Sequence, residues 1–149
     1  MSKFLVINGP NLNRLGSRDV GIYGSKTLAE IESEITSKAD ELGVQVEFFQ
    51  SNSEGAIIDY IQARSGEAAG IVINPGALTH YGYSLLDALT DCRLPVVEVH
   101  ISDIHAREEW RRHSVTAAAA REQITGLGWK GYLIALEALV SQEGVDQET

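Results

Sequence analysis

The chain has 149 residues and a mass of 16.2 kDa, a size that fits one domain with its own hydrophobic core. Its 12 Lys and Arg against 21 Asp and Glu give a formal net charge of −9, which argues against binding to nucleic acids or anionic membranes. The single cysteine, Cys92, excludes an internal disulfide and a multi-cysteine zinc site. The apolar run at residues 4–7 is too short for a signal peptide or a membrane span, so we expect a soluble, cytoplasmic protein.

Short apolar runs alternate with helical patterns along the chain, beginning with residues 4–7, a run typical of a strand buried on both faces. Thr27 with Glu30 three positions later is a capping-box signature for the start of a helix, and Gly43 is expected to end that helix. Ser53 is expected to cap the next helix. Strands are predicted at residues 4–7, 44–49, 70–73, 95–100 and 122–125. Helices are predicted at residues 27–42, 54–64, 83–92 and 131–140, with a charged helical turn at 107–112.

This alternation predicts an α/β fold with a parallel sheet and helices on both of its faces. The units in residues 1–141 match one flavodoxin-like domain, a three-layer sandwich around a five-stranded parallel sheet in the order 2-1-3-4-5. Residues 15–24 form a long polar stretch with the composition of a lid over a crevice. The alternative is a surface loop in which Arg18 is solvated and Tyr23 packs on the protein edge. The polar residues 142–149 are predicted to form a disordered tail.

Polar residues end three of the buried strands: Asn8 the first, Asn74 the third and His100 the fourth. Ligands of open parallel sheets bind outside the carboxyl ends of the strands, where the strand order reverses. In the order 2-1-3-4-5, strands 1, 3 and 4 are neighbours, so these ends are predicted to line one crevice. The turn residues at 74–76 leave a second interpretation open, because Asn, Pro and Gly also form turns that bind nothing.

Glu98 and His100 are two positions apart on a strand, so their side chains lie on the same face. A carboxylate in an apolar strand is costly unless it is paired, and a nearby carboxylate favours protonated imidazole, which suits a general acid. The pair can also be purely structural, with Glu98 anchoring His100 or a helix N-terminus.

Other patterns weigh against several protein classes. The loop after the first strand lacks Gly-x-Gly-x-x-Gly, and Pro10 removes an N–H that a phosphate would use, so no nucleotide is expected. Ser84 does not lie in Gly-x-Ser-x-Gly, which argues against a serine hydrolase, and the four histidines lack the spacing of a catalytic metal site. The end of the first strand also lacks the acidic cluster of a response-regulator receiver and the Ser/Thr-rich loop of a flavin carrier.

Motifs spread from about Lys3 to Val140 resemble those of the type II 3-dehydroquinate dehydratases, in the same order along the chain. They are Asn8-Gly9-Pro10-Asn11-Leu12-Asn13-x-Leu15-Gly16-x-Arg18, Ile22-Tyr23-Gly24-x-x-Thr27-Leu28, Gln50-Ser51-Asn52-x-Glu54-Gly55, Ile73-Asn74-Pro75-Gly76-Ala77-x-Thr79-His80, Glu98-Val99-His100-Ile101-Ser102, His105-Ala106-Arg107-Glu108-Glu109-x-Arg111 and Gly131-Tyr132.

The resemblance implies a flavodoxin-like subunit assembled as a dodecamer of four trimers. It implies the third step of the shikimate pathway, in which 3-dehydroquinate loses water to give 3-dehydroshikimate. The family carries out an anti elimination through an enolate, without a Schiff base, a metal or an organic cofactor.

The resemblance also implies roles for the catalytic residues. Tyr23 is expected to be the base that takes the C2 proton, with its phenolate favoured by Arg18. Asn11, holding a water, is expected to stabilise the enolate oxygen. His100 is expected to protonate the leaving hydroxyl, with Glu98 orienting it.

The remaining expected site residues bind the substrate. Asn74 and the backbone N–H groups of Ile101 and Ser102 are expected to hold its carboxylate, and His80 and Arg111 its hydroxyls. Asp87 is similar to the family residue that reaches the site of a neighbouring subunit.

The chain departs from the common family pattern at two positions, with Asp103 for Asn and Ser53 for His. A second negative charge beside the carboxylate site would oppose substrate binding. We therefore expect Asp103 to be paired with Arg107 or Arg111. The alternative is that Asp103 keeps the hydrogen bonds that Asn would make in this loop.

Overall fold

Five parallel strands form one sheet in a computed structural model that describes residues 1–148, with side chains described to Val145. The strands are β1 Lys3–Asn8, β2 Gln45–Gln50, β3 Gly70–Asn74, β4 Val96–His100 and β5 Glu122–Thr125. Their order in the sheet is β2-β1-β3-β4-β5, which confirms the predicted flavodoxin-like arrangement.

Two helices cover each face of the sheet. The helices are α1 Val20–Tyr23, α2 Leu28–Leu42, α3 Glu54–Arg64, α4 Tyr83–Asp91 and α5 Lys130–Glu148. Helices α2 and α5 pack with Phe4 and Val6 on one face, while α3 and α4 pack with Leu5 and Ile7 on the other. Alternate residues of β1 therefore enter opposite layers, and all four are fully buried, as expected for a central parallel strand.

The helix ends follow the sequence signals. Thr27 and Glu30 form the predicted capping box at the start of α2, and Gly43 adopts a left-handed conformation (φ 70°) after its last residue. Ser53 caps α3 by accepting a hydrogen bond from the Ala56 N–H. The charged helical turn predicted at 107–112 is observed as one short 3₁₀ turn, Glu109–Arg111, and a second 3₁₀ turn, Ile104–Ala106, precedes it.

Two glycines let the loops after β1 and β3 touch. A Cβ on Gly9 would lie 2.3 Å from the Pro75 carbonyl oxygen. A Cβ on Gly76, at φ 60°, would lie 2.9 Å from the carbonyl oxygen of Pro10. Because neither contact tolerates a side chain, glycine at both positions brings the two loops together at the carboxyl end of the sheet.

Helix α5 continues through most of the stretch that the sequence predicts to be a disordered tail. It runs from Lys130 to Glu148, and Thr149 lies outside the described residues. Within residues 1–148, no helix combines the length and the apolar character needed to cross a membrane.

Candidate active site

A cleft lies at the carboxyl ends of the central strands, where the sequence predicts a ligand site. Nine of the eleven expected site residues line it. They are Asn11, Arg18, Tyr23, Asn74, His80, His100, Ile101, Ser102 and Arg111. Glu98 lies behind His100, and Asp87 lies outside the cleft.

The Tyr23 hydroxyl lies between two guanidinium groups. Arg18 donates a hydrogen bond to it over 3.0 Å, and Arg107 donates another over 2.9 Å. The Arg18 guanidinium carbon also lies 4.0 Å from the centre of the Tyr23 ring. Because a guanidinium group can only donate, the Tyr23 oxygen accepts both hydrogen bonds, and the two arginines fix its position at the cleft.

The stretch that carries Arg18 and Tyr23 contains the short helix α1 and turns both side chains to the cleft. Asp19 caps this helix by accepting a hydrogen bond from the Gly21 N–H over 3.2 Å. Both Arg18 and Tyr23 are half-buried, whereas Val20 and Ile22 on the same segment are exposed. This geometry favours the lid interpretation over a solvated surface loop.

Glu98 and His100 form a buried pair at the end of β4. His100 Nε2 lies 2.9 Å from a Glu98 carboxylate oxygen, and both residues are at most 4% exposed. Burial alone would raise the pKa of Glu98, but the hydrogen bond and charge of His100, with hydrogen bonds from Thr116 and Gln123, lower it to about 2. Because an ionised carboxylate only accepts, Nε2 carries a proton and Nδ1 is left to exchange one with a ligand.

The carboxylate of Glu98 is held from several directions. Ser114 Oγ donates to it over 2.9 Å and Gln123 Nε2 over 2.7 Å, and the Thr116 hydroxyl makes a further short hydrogen bond. These donors satisfy a buried charge and fix its position against His100. The pair is thus both structurally anchored and directed at the cleft.

Asn11 adopts a left-handed backbone conformation with φ 69°, which asparagine tolerates better than most residues. Its backbone N–H donates to Asn52 Oδ1 over 2.9 Å, and the Gln50 amide donates to the same oxygen over 3.3 Å and to the Gly9 carbonyl over 3.2 Å. The loop after β2 therefore fixes the position of Asn11 at the rim of the cleft.

The stretch at residues 74–76 is both a turn and part of the cleft. Asn74 Oδ1 accepts a hydrogen bond from the Gly76 N–H over 3.1 Å, which closes the turn. Asn74 is 3% exposed, and it lines the cleft together with Ile101 and Ser102. The two interpretations of this motif are therefore compatible.

His80 presents a neutral imidazole to the cleft. Burial lowers its pKa, and its Nδ1–H donates a hydrogen bond to the His113 carbonyl oxygen over 2.7 Å. This bond leaves Nε2 as the nitrogen that can accept a hydrogen bond from a ligand hydroxyl. Arg111 approaches from the Glu109–Arg111 turn, where its Nε is hydrogen-bonded to Glu108.

Asp87 lies on α4 with an exposed side chain and does not line the cleft of its own subunit.

Asp103 is not paired as the sequence predicts: in the described part of the chain it makes no ion pair with Arg107 or Arg111. Its Oδ1 instead accepts a hydrogen bond from the His105 N–H over 3.1 Å. The pairing hypothesis is wrong because Arg107 is turned to Tyr23 and Arg111 to Glu108, and Asp103 makes the bond that Asn would make.

Replacing Asp103 with Asn is expected to lower KM two- to fivefold and to leave kcat unchanged. Asn keeps the acceptor for His105 and removes a charge that is exposed and therefore screened, worth about 0.5–1 kcal/mol. Steady-state kinetics at low and high salt measure the effect, which salt should reduce. Asp91→Asn, which removes a charge at the far end of α4, is the control; equal KM changes in both variants would refute this local effect.

Arg107 is the main site residue that the sequence analysis does not assign to catalysis. It lies 84 positions from Tyr23 along the chain, and besides Tyr23 it contacts Ser102 Oγ over 3.2 Å. The signal in the sequence that could have identified Arg107 is its place in the motif at residues 105–111.

Among the described residues, no three His, Cys, Asp or Glu side chains gather into a group that could hold a metal ion.

Comparison with known proteins gives consistent matches over nearly the whole chain. A family model described as "Dehydroquinase class II" matches residues 2–140. A protein of Bacillus cytotoxicus named 3-dehydroquinate dehydratase is 52% identical over 144 residues, which cover 97% of this chain and 99% of that protein.

Two solved structures of type II dehydroquinases also match nearly the whole chain. The type II dehydroquinase from Propionibacterium acnes superposes with a TM-score of 0.91 at 42% identity, over 95% of this chain and 97% of that one. The type II dehydroquinase from Butyrivibrio crossotus gives a TM-score of 0.91 at 47% identity, over 93% and 97%.

Proposed function

The chain belongs to the class II dehydroquinase family, and we propose that its cleft dehydrates 3-dehydroquinate to 3-dehydroshikimate through an enolate. One observation carries the proposal. A tyrosine held by two arginines and a histidine held by a buried carboxylate line the same cleft. These are a base and an acid, the two groups that an elimination of water requires.

In the first step, the Tyr23 phenolate takes the C2 proton, which lies next to the substrate carbonyl. The electron pair of the broken C–H bond moves toward that carbonyl and places the negative charge on its oxygen. Asn11, through a bound water, would stabilise this enolate oxygen. Arg18 and Arg107 donate to the phenol oxygen and so keep it ready to accept the proton.

In the second step, the enolate charge returns and expels the hydroxyl β to the carbonyl. His100 Nδ1–H gives its proton to that hydroxyl, which leaves as water. The Glu98 carboxylate holds Nε2–H at 2.9 Å and stabilises the charged imidazole before the transfer. The protons taken and given balance over the cycle once Tyr23 and His100 exchange them with solvent.

The other lining residues would bind the substrate. Asn74 and the backbone N–H groups of Ile101 and Ser102 are proposed to hold its carboxylate, and His80 and Arg111 its hydroxyls. The neutral His80, with Nε2 free to accept, suits a hydroxyl better than an anion. Residues 15–24 are proposed to close over the bound substrate as a lid of the catalytic domain, residues 1–141.

The four lysines of the chain support a reaction without a Schiff base. Lys3 pairs with Glu47 over 3.7 Å, Lys26 with Glu34 over 3.6 Å and Lys38 with Glu137 over 2.7 Å, while Lys130 lies beside a tryptophan ring. None of them lines the cleft. A Schiff-base lysine needs a desolvated place next to the substrate carbonyl, which these lysines lack.

The test is an assay with purified enzyme and 3-dehydroquinate that follows the enone absorbance of the product, with and without borohydride. We expect turnover that borohydride leaves intact and an unchanged intact mass of the protein. Absence of turnover would refute the proposed activity, whereas turnover with a reduced lysine adduct would refute only the mechanism.

We further propose that the enzyme is a dodecamer of four trimers. Asp87 is exposed on α4 outside its own cleft, as a residue that serves a neighbouring subunit must be. Twelve copies of 16.2 kDa give a mass of roughly 194 kDa, which light scattering would measure. Activity should then require at least the trimer, and a fully active monomer would contradict the role of Asp87.

We also propose that the enzyme works in the cytoplasm. The free and half-buried Cys92 is compatible with a reducing compartment. Cell fractionation with an antibody against the chain tests this location, and recovery outside the cytoplasmic fraction would contradict it.

A further inference from the structure

Tyr132 places a buried hydroxyl directly behind Asn74. The residue lies in the first turn of α5, is 1% exposed and packs in the apolar layer between α2, α5 and the sheet. Its hydroxyl oxygen lies 3.0 Å from Asn74 Nδ2 and 2.6 Å from Asn8 Oδ1. Since Asn8 and Asn74 are register partners at the ends of β1 and β3, this hydroxyl links the two strand ends.

Chemistry fixes the direction of these hydrogen bonds. The Gly76 N–H can only donate, which identifies the atom it contacts at 3.1 Å as Asn74 Oδ1. Asn74 Nδ2 therefore donates to Tyr132, and Tyr132 donates its single proton to Asn8 Oδ1. Burial raises the pKa of Tyr132, so the hydroxyl keeps this proton. The Asn74 amide is thus held at both of its ends in one orientation.

Asn8, the β1 residue that accepts the hydrogen bond from Tyr132, depends on this contact. Asn8 is 1% exposed, and its Nδ2 has no hydrogen-bond partner within the described residues. A buried amide nitrogen without a partner destabilises the fold. The favourable contact of this side chain is the hydrogen bond that its oxygen accepts from Tyr132.

We propose that Tyr132 is a positioning residue that acts through Asn74: it turns the second N–H of the Asn74 amide to the cleft and so sets the preference for a carboxylate. The inference rests on the proposed function, in which Asn74 binds the substrate carboxylate. An N–H at this place attracts a carboxylate, whereas an amide oxygen at the same place repels it. Phenylalanine would fill the same apolar space, so the contribution of the hydroxyl lies in its hydrogen bonds with Asn74 and Asn8.

Tyr132→Phe is expected to raise KM for 3-dehydroquinate about 10-fold and to change kcat less than about threefold, as the loss of one ground-state hydrogen bond would. Binding of two ligands sharpens the test without turnover. The free acid 3-dehydroshikimate should bind about 10-fold more weakly to the variant, whereas its methyl ester should change less than about twofold. A loss of packing would weaken both ligands alike.

Two further comparisons separate a positioning role from a structural one. Tyr60→Phe removes another hydrogen-bonded tyrosine hydroxyl, the donor to Glu47 at the edge strand β2, and should leave KM unchanged. In an Asn74→Ala background, Tyr132→Phe should have no further effect on KM, because the residue through which it acts is gone.

Asn8→Val offers a second route should Tyr132→Phe not fold. Valine suits a buried strand and removes the acceptor of the Tyr132 proton, so we expect the free acid to bind about threefold more weakly and the methyl ester to bind unchanged.

Equal weakening of acid and ester binding by Tyr132→Phe would overturn the inference. So would a KM increase by Tyr132→Phe that is as large in the Asn74→Ala background as in the wild type. A wild-type enzyme that does not dehydrate 3-dehydroquinate would instead refute the proposed function, whereas acid-specific weakening would still support the role of Tyr132.

Discussion

Tyr23→Phe is expected to fold normally and to lose about 10³-fold in kcat, within the range of a general base. Phenylalanine keeps the ring and its contact with the Arg18 guanidinium, but it removes the oxygen that takes the proton. Because substrate affinity comes from Asn74, His80 and Arg111 in this proposal, KM should change far less than kcat.

The two arginines around Tyr23 make this prediction more specific. Arg18 and Arg107 both donate to the phenol oxygen, over 3.0 Å and 2.9 Å, so the two arginines share the role of holding it. Each single change to Ala should lower kcat about 10- to 100-fold, since a hydrogen bond to a charged group contributes about 1.5–3 kcal/mol. KM should change far less than kcat in both variants, because the proposal assigns neither arginine to substrate binding.

Steady-state kinetics over pH, with circular dichroism as the check of folding, measure these effects. Tyr81→Phe is the matched control, because Tyr81 is 59% exposed and does not line the cleft. A near-normal kcat in folded Tyr23→Phe would remove Tyr23 from the role of base. A rise in KM with an unchanged kcat in Arg107→Ala would assign Arg107 to substrate binding instead.

The fold was predictable because its signals are local. Buried β1 is a continuous apolar run, Thr27 and Glu30 mark the start of α2, and the alternation of strands and helices leaves few topologies. Helix α5 extends beyond its predicted end because polar residues, even with Gly144 among them, do not by themselves stop a helix.

The site was predictable where a strand end or a family motif marks it, and less so where contacts join distant parts of the chain. His100 and Asn74 end buried strands, so their positions follow from the topology. The contact of Arg107 with Tyr23 depends on how two loops fold over the cleft, which neither sequence segment specifies alone. Asp103 was predicted to pair with the nearest arginines, but a hydrogen bond to a backbone N–H two residues away satisfies it instead.

The second large effect is expected at His100, where His100→Gln should lower kcat about 10²- to 10⁴-fold by removing the acid that protonates the leaving hydroxyl. Glutamine keeps polarity and approximate length but cannot donate a proton from a cationic form. His113→Gln is the control, because the His113 side chain is exposed and its backbone carbonyl, the partner of His80, is retained.

Glu98→Gln separates the charge of the pair from its geometry, and its effect should be smaller than that of His100→Gln. Glu98 accepts at one oxygen from His100, Ser114 and Gln123, and at the other from the Thr116 hydroxyl, which can also accept. The new amide therefore points its NH₂ to Thr116 and keeps an oxygen against His100, so the imidazole stays in place. Without the carboxylate charge, His100 Nε2–H donates to a neutral amide oxygen, and the loss of this charge-assisted hydrogen bond should lower kcat about 10- to 100-fold. An unchanged kcat, or a loss equal to that of His100→Gln, would show that the carboxylate charge of Glu98 does not act in this way.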